Sequence, residues 1–270
     1  MAIRCFENTA CSEDFSFLSK DKFAFSVLLR ILRGKCALTL LGDKRLVICH
    51  SAVPYPVWIW LPDDADEKEM ENAYLLTKKH LGIEKNRFNL KYPLAEYFIR
   101  RAKEDGIRLQ IQTNMLAYSC PAPIAPKKEV GGYLEKATEQ DLACVVDFLR
   151  LFFKEAGLLA DIASDEAYIE KAQKNIEQGF FFWNCDGVRV ACGGIHTMED
   201  QCSIHAIYTN KKHRRHGYAS HLVYALAEQI LSIQKTPTLY TDADYVASNT
   251  CYTNIGFVCH GGLCTLGEAR

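Results

Sequence analysis

Apolar residues recur along this chain with two different spacings, and each change of spacing marks a new element. Asp14 to Leu32 carries them at helical spacing, which predicts a helix. The run CALTLLGDKRLVICH holds two short β-rich stretches around Gly42-Asp43. VPYPVWIWLP holds a third, before the acidic loop Asp63-Asp64-Ala65-Asp66. Glu67 to Leu81 and Pro93 to Glu104 alternate charged and apolar faces as packed helices do, and Arg108 to Gln112 returns to strand alternation. The predicted order of this half is α-β-β-β-α-α-β.

The other half is better punctuated. YLEKAT reads as a strand, Thr138 as an N-cap, and Glu139 to Glu155 and Asp165 to Gln178 as helices. Phe180 to Asn184 and Val188 to Ile195 are apolar runs joined by Asp186-Gly187, a dipeptide that tolerates the positive φ of a tight hairpin. Ser203 to Tyr208 is a further strand and leads into the basic loop KKHRRHGYAS. A helix from Tyr218 to Leu231, a strand from Thr238 to Thr241, a short helix near Ser248 to Asn254 and the pair Gly256-Phe257 follow.

Between the halves, YSCPAPIAPKKEVGG holds three of the chain's eight prolines and a Gly pair, which sustains neither helix nor central strand. The expected organisation is an N-terminal domain over 1–120, a linker over 121–131 and a C-terminal domain over 132–270. Composition agrees: 270 residues, 49% hydrophobic and 24% charged, are enough for one or two folded domains and too apolar for disorder.

Charge and cysteine usage narrow the function classes. Lys plus Arg number 32 against 33 Asp plus Glu, which argues against bulk electrostatic capture of nucleic acid or of an anionic membrane. The twelve cysteines are scattered from Cys5 to Cys264 without a CxxC pair, and the start MAIRCFENTACSEDF has no signal-like apolar stretch. They read as reduced thiols of a cytoplasmic protein, and no metal site is expected because paired ligands from one tight turn are missing. The longest apolar stretch, around Val53 to Leu61, is too short and too proline-interrupted to span a bilayer.

The chemistry concentrates in Ile207-Tyr208-Thr209-Asn210-Lys211-Lys212-His213-Arg214-Arg215-His216-Gly217-Tyr218-Ala219, a strand entering a basic loop that opens a long helix. A helix N-terminus presents unpaired N–H groups and a partial positive charge. Gly217 and Ala219 would let a phosphate approach that backbone closely. Four fixed cations and two histidines also suggest a nucleic-acid patch. The run is short, however, and lacks the interleaved aromatics and distributed cations that such grooves use.

This loop resembles the pyrophosphate-binding motif of the GNAT superfamily of acyl-CoA-dependent N-acetyltransferases, Q/R-x-x-G-x-G/A, at Arg214, Gly217 and Ala219. Ser248 to Phe257, spaced SNxxYxxxGF, is similar to that family's Asn…Tyr…Gly-Phe ending, and the order β-α-α-β-β-β-α-β-α-β from Tyr133 to Phe257 is similar to its order. The resemblance covers the C-terminal half and implies a GNAT-like layered α/β fold there. It implies an enzyme that transfers an acetyl group from acetyl-CoA, by direct attack, to a small-molecule or peptide amine acceptor. Arg214, Arg215, His216, Gly217, Tyr218 and Ala219 would hold the coenzyme pyrophosphate through main-chain N–H groups. Ile207, Tyr208 and Thr209 would pair with the pantetheine arm like an added strand. Asn249 and Tyr252 match positions near the cofactor, with Tyr252 the general acid for the departing thiolate or, alternatively, a ring packed under the short helix.

Amide formation needs a neutral amine, and several members of this family place a glutamate on the strand before the loop. The matching position here is Ser203, a poor base. His205 lies two residues on and therefore on the same strand face, which makes it the candidate base, with a structural role as the competing reading. His196 and Glu199 are weaker candidates. Phe180-Phe181-Phe182-Trp183 reads as core and Cys251 as a packing residue. Leu158 to Ala163 suggests an apolar wall of the acceptor pocket.

The first half is similar to the GNAT order with its first strand missing. It also lacks the motif, since the acidic loop Asp63 to Asp66 would repel pyrophosphate. The expectation is a small, degenerate, cofactor-free GNAT-like α/β module. The substitution of Ser203 for the usual base leaves a second functional reading open, a non-catalytic acyl-CoA-binding or regulatory protein.

Overall fold

The computed structural model describes residues 3–157 and 164–269. The chain opens with β1 (Ile3–Thr9), a 3-10 turn at Ser16–Asp21, α1 (Ser26–Leu32), β2 (Cys36–Gly42), β3 (Leu46–His50) and β4 (Val57–Trp60). Next come α2 (Glu67–His80), β5 (Phe88–Leu90), α3 (Tyr92–Glu104) and β6 (Leu109–Ser119). After an irregular stretch follow β7 (Tyr133–Lys136), α4 (Leu142–Glu155), α5 (Asp165–Gln178), β8 (Phe180–Cys185), β9 (Val188–Thr197) and β10 (Gln201–Thr209). The chain ends with α6 (Tyr218–Ser232), β11 (Thr236–Asp242), α7 (Val246–Asn254) and β12 (Val258–Glu268). It is a mixed α/β protein of two units. One is built from the chain up to Ala117, Asp242–Asp244 and the chain from His260 onward; the other from Tyr118–Thr241 and Tyr245–Cys259.

In the first unit the strands lie in the order β1-β2-β3-β4-β5-β12-β6. β1 to β4 are antiparallel neighbours, β4 and β5 run parallel, and β12 pairs antiparallel with β5 through Cys264↔Leu90 and Leu266↔Phe88. The core gathers fully buried Tyr74, Phe88 and Phe98, whose rings meet edge-on, with Cys264 and Leu266 of β12 beside them. Tyr74 donates to Asp105 at 2.6 Å, and hydrogen bonds from Lys78 and Tyr74 push the Asp105 carboxyl down to about 2.

Three expectations for this half change. It opens with a strand: the order does not lack its first strand, because β1 pairs with β2 from Ile3↔Gly42 to Thr9↔Cys36. That strand, IRCFENT, is largely exposed at the sheet edge and so has no apolar period to read. The helix expected over Asp14 to Leu32 is interrupted. Asp14 accepts from both the backbone and hydroxyl of Ser16, a local turn that competes with helix, and regular α-helix begins only at Ser26. Finally, the C-terminal segment, HGGLCTLGE, forms β12, and its part from His260 belongs to the first unit, where the linear division assigns all of 132–270 to the second. Two glycines in a row masked its strand character.

The second unit orders its strands β11-β10-β9-β8-β7. The β8–β9 hairpin turns through Asp186 (φ 51°) and Gly187 (φ 79°), as its dipeptide predicts. Phe180, Phe182, Cys192 and Tyr208 face α4 and α5, where Phe148 contacts both Phe182 and Tyr208. Gly193 faces the other way: a Cβ there would lie 2.4 Å from Ile207 Cδ1 and 3.4 Å from Leu226 Cδ1, so its bareness lets α6 close on the sheet. The Phe180 to Trp183 run is core, buried throughout. Helix α4 starts at Leu142, preceded by a 3-10 turn that Thr138 and Asp141 cap reciprocally.

Arg189 joins β9 to the start of this helix, 2.5 Å from Glu135 and 2.7 Å from Asp141, with its guanidinium 4.4 Å over Phe182. Glu135 is lowered chiefly by Arg189 and Asp141 chiefly by the Thr138 backbone N–H, so both stabilise the fold above their ordinary values of 4.5 and 3.8 and lose that contribution as pH falls through the lowered values. The stability gap between wild type and Arg189→Gln is therefore expected to shrink from roughly pH 5 to pH 3, read from urea midpoints. A second expectation concerns β12: Leu266→Ala removes a fully buried side chain and costs about 2–5 kcal/mol, read by the same measurement.

Candidate functional site

Strand β10 pairs with two neighbours in different ways. It runs antiparallel to β9 along most of its length, but the register shifts between His205 and Tyr208, where Ala206 takes φ 52°. That is a β-bulge, which bends a strand and turns its backbone groups. On the other side β10 runs parallel to β11, paired as Gln201↔Thr236, Cys202↔Pro237 and Ser203↔Thr238. The bulge follows directly, so Ile207, Tyr208 and Thr209 lie on the length of β10 beyond the β11 pairing.

The loop after Thr209 leads into α6. Asn210 caps a turn at Lys211–His213, Arg215 takes φ 64°, and Gly217 is the N-cap residue of α6 at φ 98°. Among the described residues no side chain caps α6. Helices α2 and α5 differ, since Asp66 and Ser164 accept from their first-turn N–H groups. The first N–H groups of α6 thus open beside Lys211, Lys212, Arg214, Arg215 and His216, which line an open depression of about 740 Å³. His216 lies stacked on Tyr218, its Nδ1 2.8 Å from the Arg214 carbonyl.

The individual candidates divide into backbone and side-chain positions. The Tyr208 side chain is buried in the core, and Ile207 points toward Gly193 and α6. Thr209 Oγ1 is buried with no hydrogen-bond partner. His205 is half-buried, and its ring occupies the space left by Gly194: a Cβ there would lie 2.5 Å from Cε1, 2.9 Å from Nε2 and 3.0 Å from Asn175 Oδ1. Ser203 pairs across to His196, whose Nδ1 is 2.8 Å from Gln178 Oε1. His205, Ser203 and His196 therefore look toward α5.

Tyr252 and Asn249 sit on α7, and Ser220 in the first turn of α6 reaches Cys251 there at 3.2 Å. Asn249 is half-buried, and its main-chain carbonyl accepts from the Thr253 hydroxyl at 3.0 Å. Tyr252 is 7% exposed, its ring 6.4 Å from Tyr118 and 5.9 Å from Phe257. Burial pushes its phenol well above the ordinary value, so it stays protonated. Leu158 to Ala163, the expected apolar wall, lies outside the described residues.

Two residues at this site escaped the sequence reading. Glu155, the last residue of α4, pairs with Arg214 across 59 positions of chain, with Nη2 to Oε1 at 2.6 Å. Asn175 of α5 flanks His205. Both look in sequence like ordinary polar positions of amphipathic helices, and no spacing connects them to the loop.

In the first unit, side chains crowd the end of the parallel strand pair. Beyond the parallel pairing of β4 with β5, Trp60 donates to Asp21 at 2.7 Å and its ring lies 5.4 Å from that of Phe17 at a tilt of 51°, while Lys91 bridges Asp21 and Asp63 at 2.8 and 2.5 Å. The N–H groups of α2 are taken by the Asp66–Glu69 capping box.

Residues 185–260 match the family described as FR47-like protein. No curated protein sequence matches the chain. Among solved structures it is similar to a GNAT-family acetyltransferase from Colwellia psychrerythraea, with TM-score 0.60, 14% identity and all of both chains covered. It is also similar to a GCN5-related N-acetyltransferase from Kribbella flavida, with TM-score 0.61 and 16% identity over 92% of this chain and 95% of that one. A tandem GNAT protein from the clavulanic acid biosynthesis pathway aligns over 100% of this chain and 99% of its own, with TM-score 0.56 and 11% identity. The chain has the GNAT fold, with two GNAT-like modules in tandem.

The packing around Tyr252 sets a measurable expectation. Tyr252→Ala empties a buried ring site and costs about 3–5 kcal/mol. Tyr252→Phe keeps the ring against Tyr118 and Phe257 and changes stability by about 1 kcal/mol or less, both read by thermal melting.

Proposed function

We propose that the protein is an acetyl-CoA-dependent N-acetyltransferase that acts on a small-molecule or peptide amine by direct attack. The observation that carries this reading is the bulged end of β10 leading into the uncapped, cation-rich N-terminus of α6. Phosphates fit there: the main-chain N–H groups of Gly217 to Ala219 supply donors, and Lys211, Lys212 and Arg215 supply charge. The backbone of Ile207 to Thr209 offers an added-strand partner to the pantetheine amides. One coenzyme site per chain follows, because the capping box of α2 and the Trp60–Asp21–Lys91 cluster occupy the counterpart in the first unit.

Bound acetyl-CoA supplies an activated thioester. The chain's own residues must then hold an amine, take its proton and return one to sulfur. His205, half-buried on the bulged strand, is the proton acceptor in this reading, since imidazole titrates near neutral pH. Tyr252, kept protonated by burial, is the donor to the departing sulfur in this reading, and Asn249, on the same helix, would approach the coenzyme. Twelve cysteines without disulfides fit a reducing, cytoplasmic setting. Among the described residues, no helix is long and apolar enough to cross a membrane.

One observation favours a second reading, a non-catalytic acyl-CoA-binding regulator: buried, uncharged Ser203 stands where a carboxylate base is expected. Calorimetric titration of acetyl-CoA separates the outcomes. Micromolar-range binding that is lost in Gly217→Glu, which puts an anion at φ 98°, is expected. Turnover with an amine panel is then expected to fall about 100-fold in His205→Gln and in Tyr252→Phe with binding retained. Binding without turnover for any amine favours the regulator, and absence of binding overturns both.

A further inference from the structure

We infer that Glu155 is a positioning residue for the coenzyme loop. It holds Arg214 as a brace that orders the loop's N–H groups, and the Arg214 guanidinium does not itself contact the bound phosphates. This inference rests on the coenzyme site proposed above.

Arg214 opens the motif to which resemblance assigns the pyrophosphate through main-chain N–H groups, and its side chain is committed elsewhere. Nη2 lies 2.6 and 2.7 Å from the two oxygens of Glu155, Nε donates to the Thr209 carbonyl at 3.0 Å, and the guanidinium lies 5.5 Å over the Tyr208 ring. Each of these partners is fixed. Thr209 ends β10, Tyr208 belongs to the core under α4, and Glu155 ends α4. One side chain therefore ties the loop to a strand end, a core ring and a helix end.

The loop needs such a tie. It contains left-handed Arg215 at φ 64° and Gly217 at φ 98°, and a non-glycine residue in that region is unfavourable unless its surroundings hold it. The arrangement of the other cations supports the division of labour. Lys211, Lys212 and Arg215 are exposed at the depression, with Lys211 4.0 Å from Glu155; Arg214 also lines it but is half-buried, its guanidinium held by Glu155 and the Thr209 carbonyl. Glu155 is held below its ordinary value chiefly by the Arg214 hydrogen bond, so the pair is ionised at neutral pH.

Simple electrostatics predicts the opposite outcome from the brace, which makes the inference decidable. A carboxylate beside a phosphate site repels the ligand, so if Arg214 contacted phosphate directly, neutralising Glu155 would release Arg214 and strengthen binding. If Arg214 acts as a brace, neutralising Glu155 loosens the loop and weakens it.

The test is calorimetric titration of coenzyme A into full-length wild type, Glu155→Gln, Arg214→Gln, Arg214→Lys and the Glu155→Gln/Arg214→Gln double variant. Amide hydrogen exchange over residues 210–220 and the melting temperature are read in parallel. Each single variant is expected to weaken binding about tenfold, and the double variant no more than either single, the signature of one shared interaction. Arg214→Lys fails to restore binding, because a single ammonium cannot serve Thr209 and Glu155 with the geometry of a fork. Exchange over 210–220 rises in each variant while the melting temperature holds, which separates loop ordering from general destabilisation. Unchanged or tighter binding in Glu155→Gln, or additive losses in the double variant, overturns the inference and leaves the coenzyme site standing. No binding by wild type overturns the coenzyme reading and the inference together.

Discussion

The site depends on one constraint, that β10 must satisfy two neighbours that demand different geometry. Its first residues pair in parallel with β11, and its antiparallel ladder with β9 then slips at Ala206. A residue at φ 52° in mid-strand is unfavourable, and it persists because the hairpin partner and the helices on both faces hold the strand on either side of it. The slip falls just after the last residue paired with β11, so Ile207, Tyr208 and Thr209 lie beyond both the bulge and that pairing.

Bare positions on β9 matter as much as the side chains around them. Gly193 admits Ile207 and lets α6 approach, while Gly194 admits the His205 ring beside Asn175. These adjacent glycines face opposite sides of the sheet, so a single pair sets both how closely the helix packs and where the imidazole rests. The chemistry of the loop is likewise set by what is left open. The first-turn N–H groups of α6 have no side-chain cap, whereas those of α2 are consumed by Asp66.

The two units show how one fold can be used twice with different consequences. In the first, Trp60, Phe17, Asp21 and Lys91 fill the region beyond the parallel pair, and an acidic loop precedes a capped helix. In the second, the corresponding loop is basic and its helix start is open. Backbone architecture is shared; the side chains at one strand end and one helix start decide whether an anion can enter.

Local chemistry made much of this legible in advance. The Asp186-Gly187 turn, the helices from Glu67 and Asp165, the strand entering the basic loop and the GNAT-like spacing at Arg214, Gly217 and Ala219 are properties of neighbouring residues, so sequence by itself determined them. The edge strand β1 carries no apolar period, and the glycines of β12 hide its pairing with β5, so both required partners distant in the chain to become visible. The same holds for Glu155, which meets Arg214 only because α4 and the end of β10 pack together, and for Asn175 beside His205. Short-range turns and caps are decided by a few adjacent residues, whereas pairing, burial and ion-pair partners depend on which surfaces folding brings into contact, and only the tertiary structure decides that.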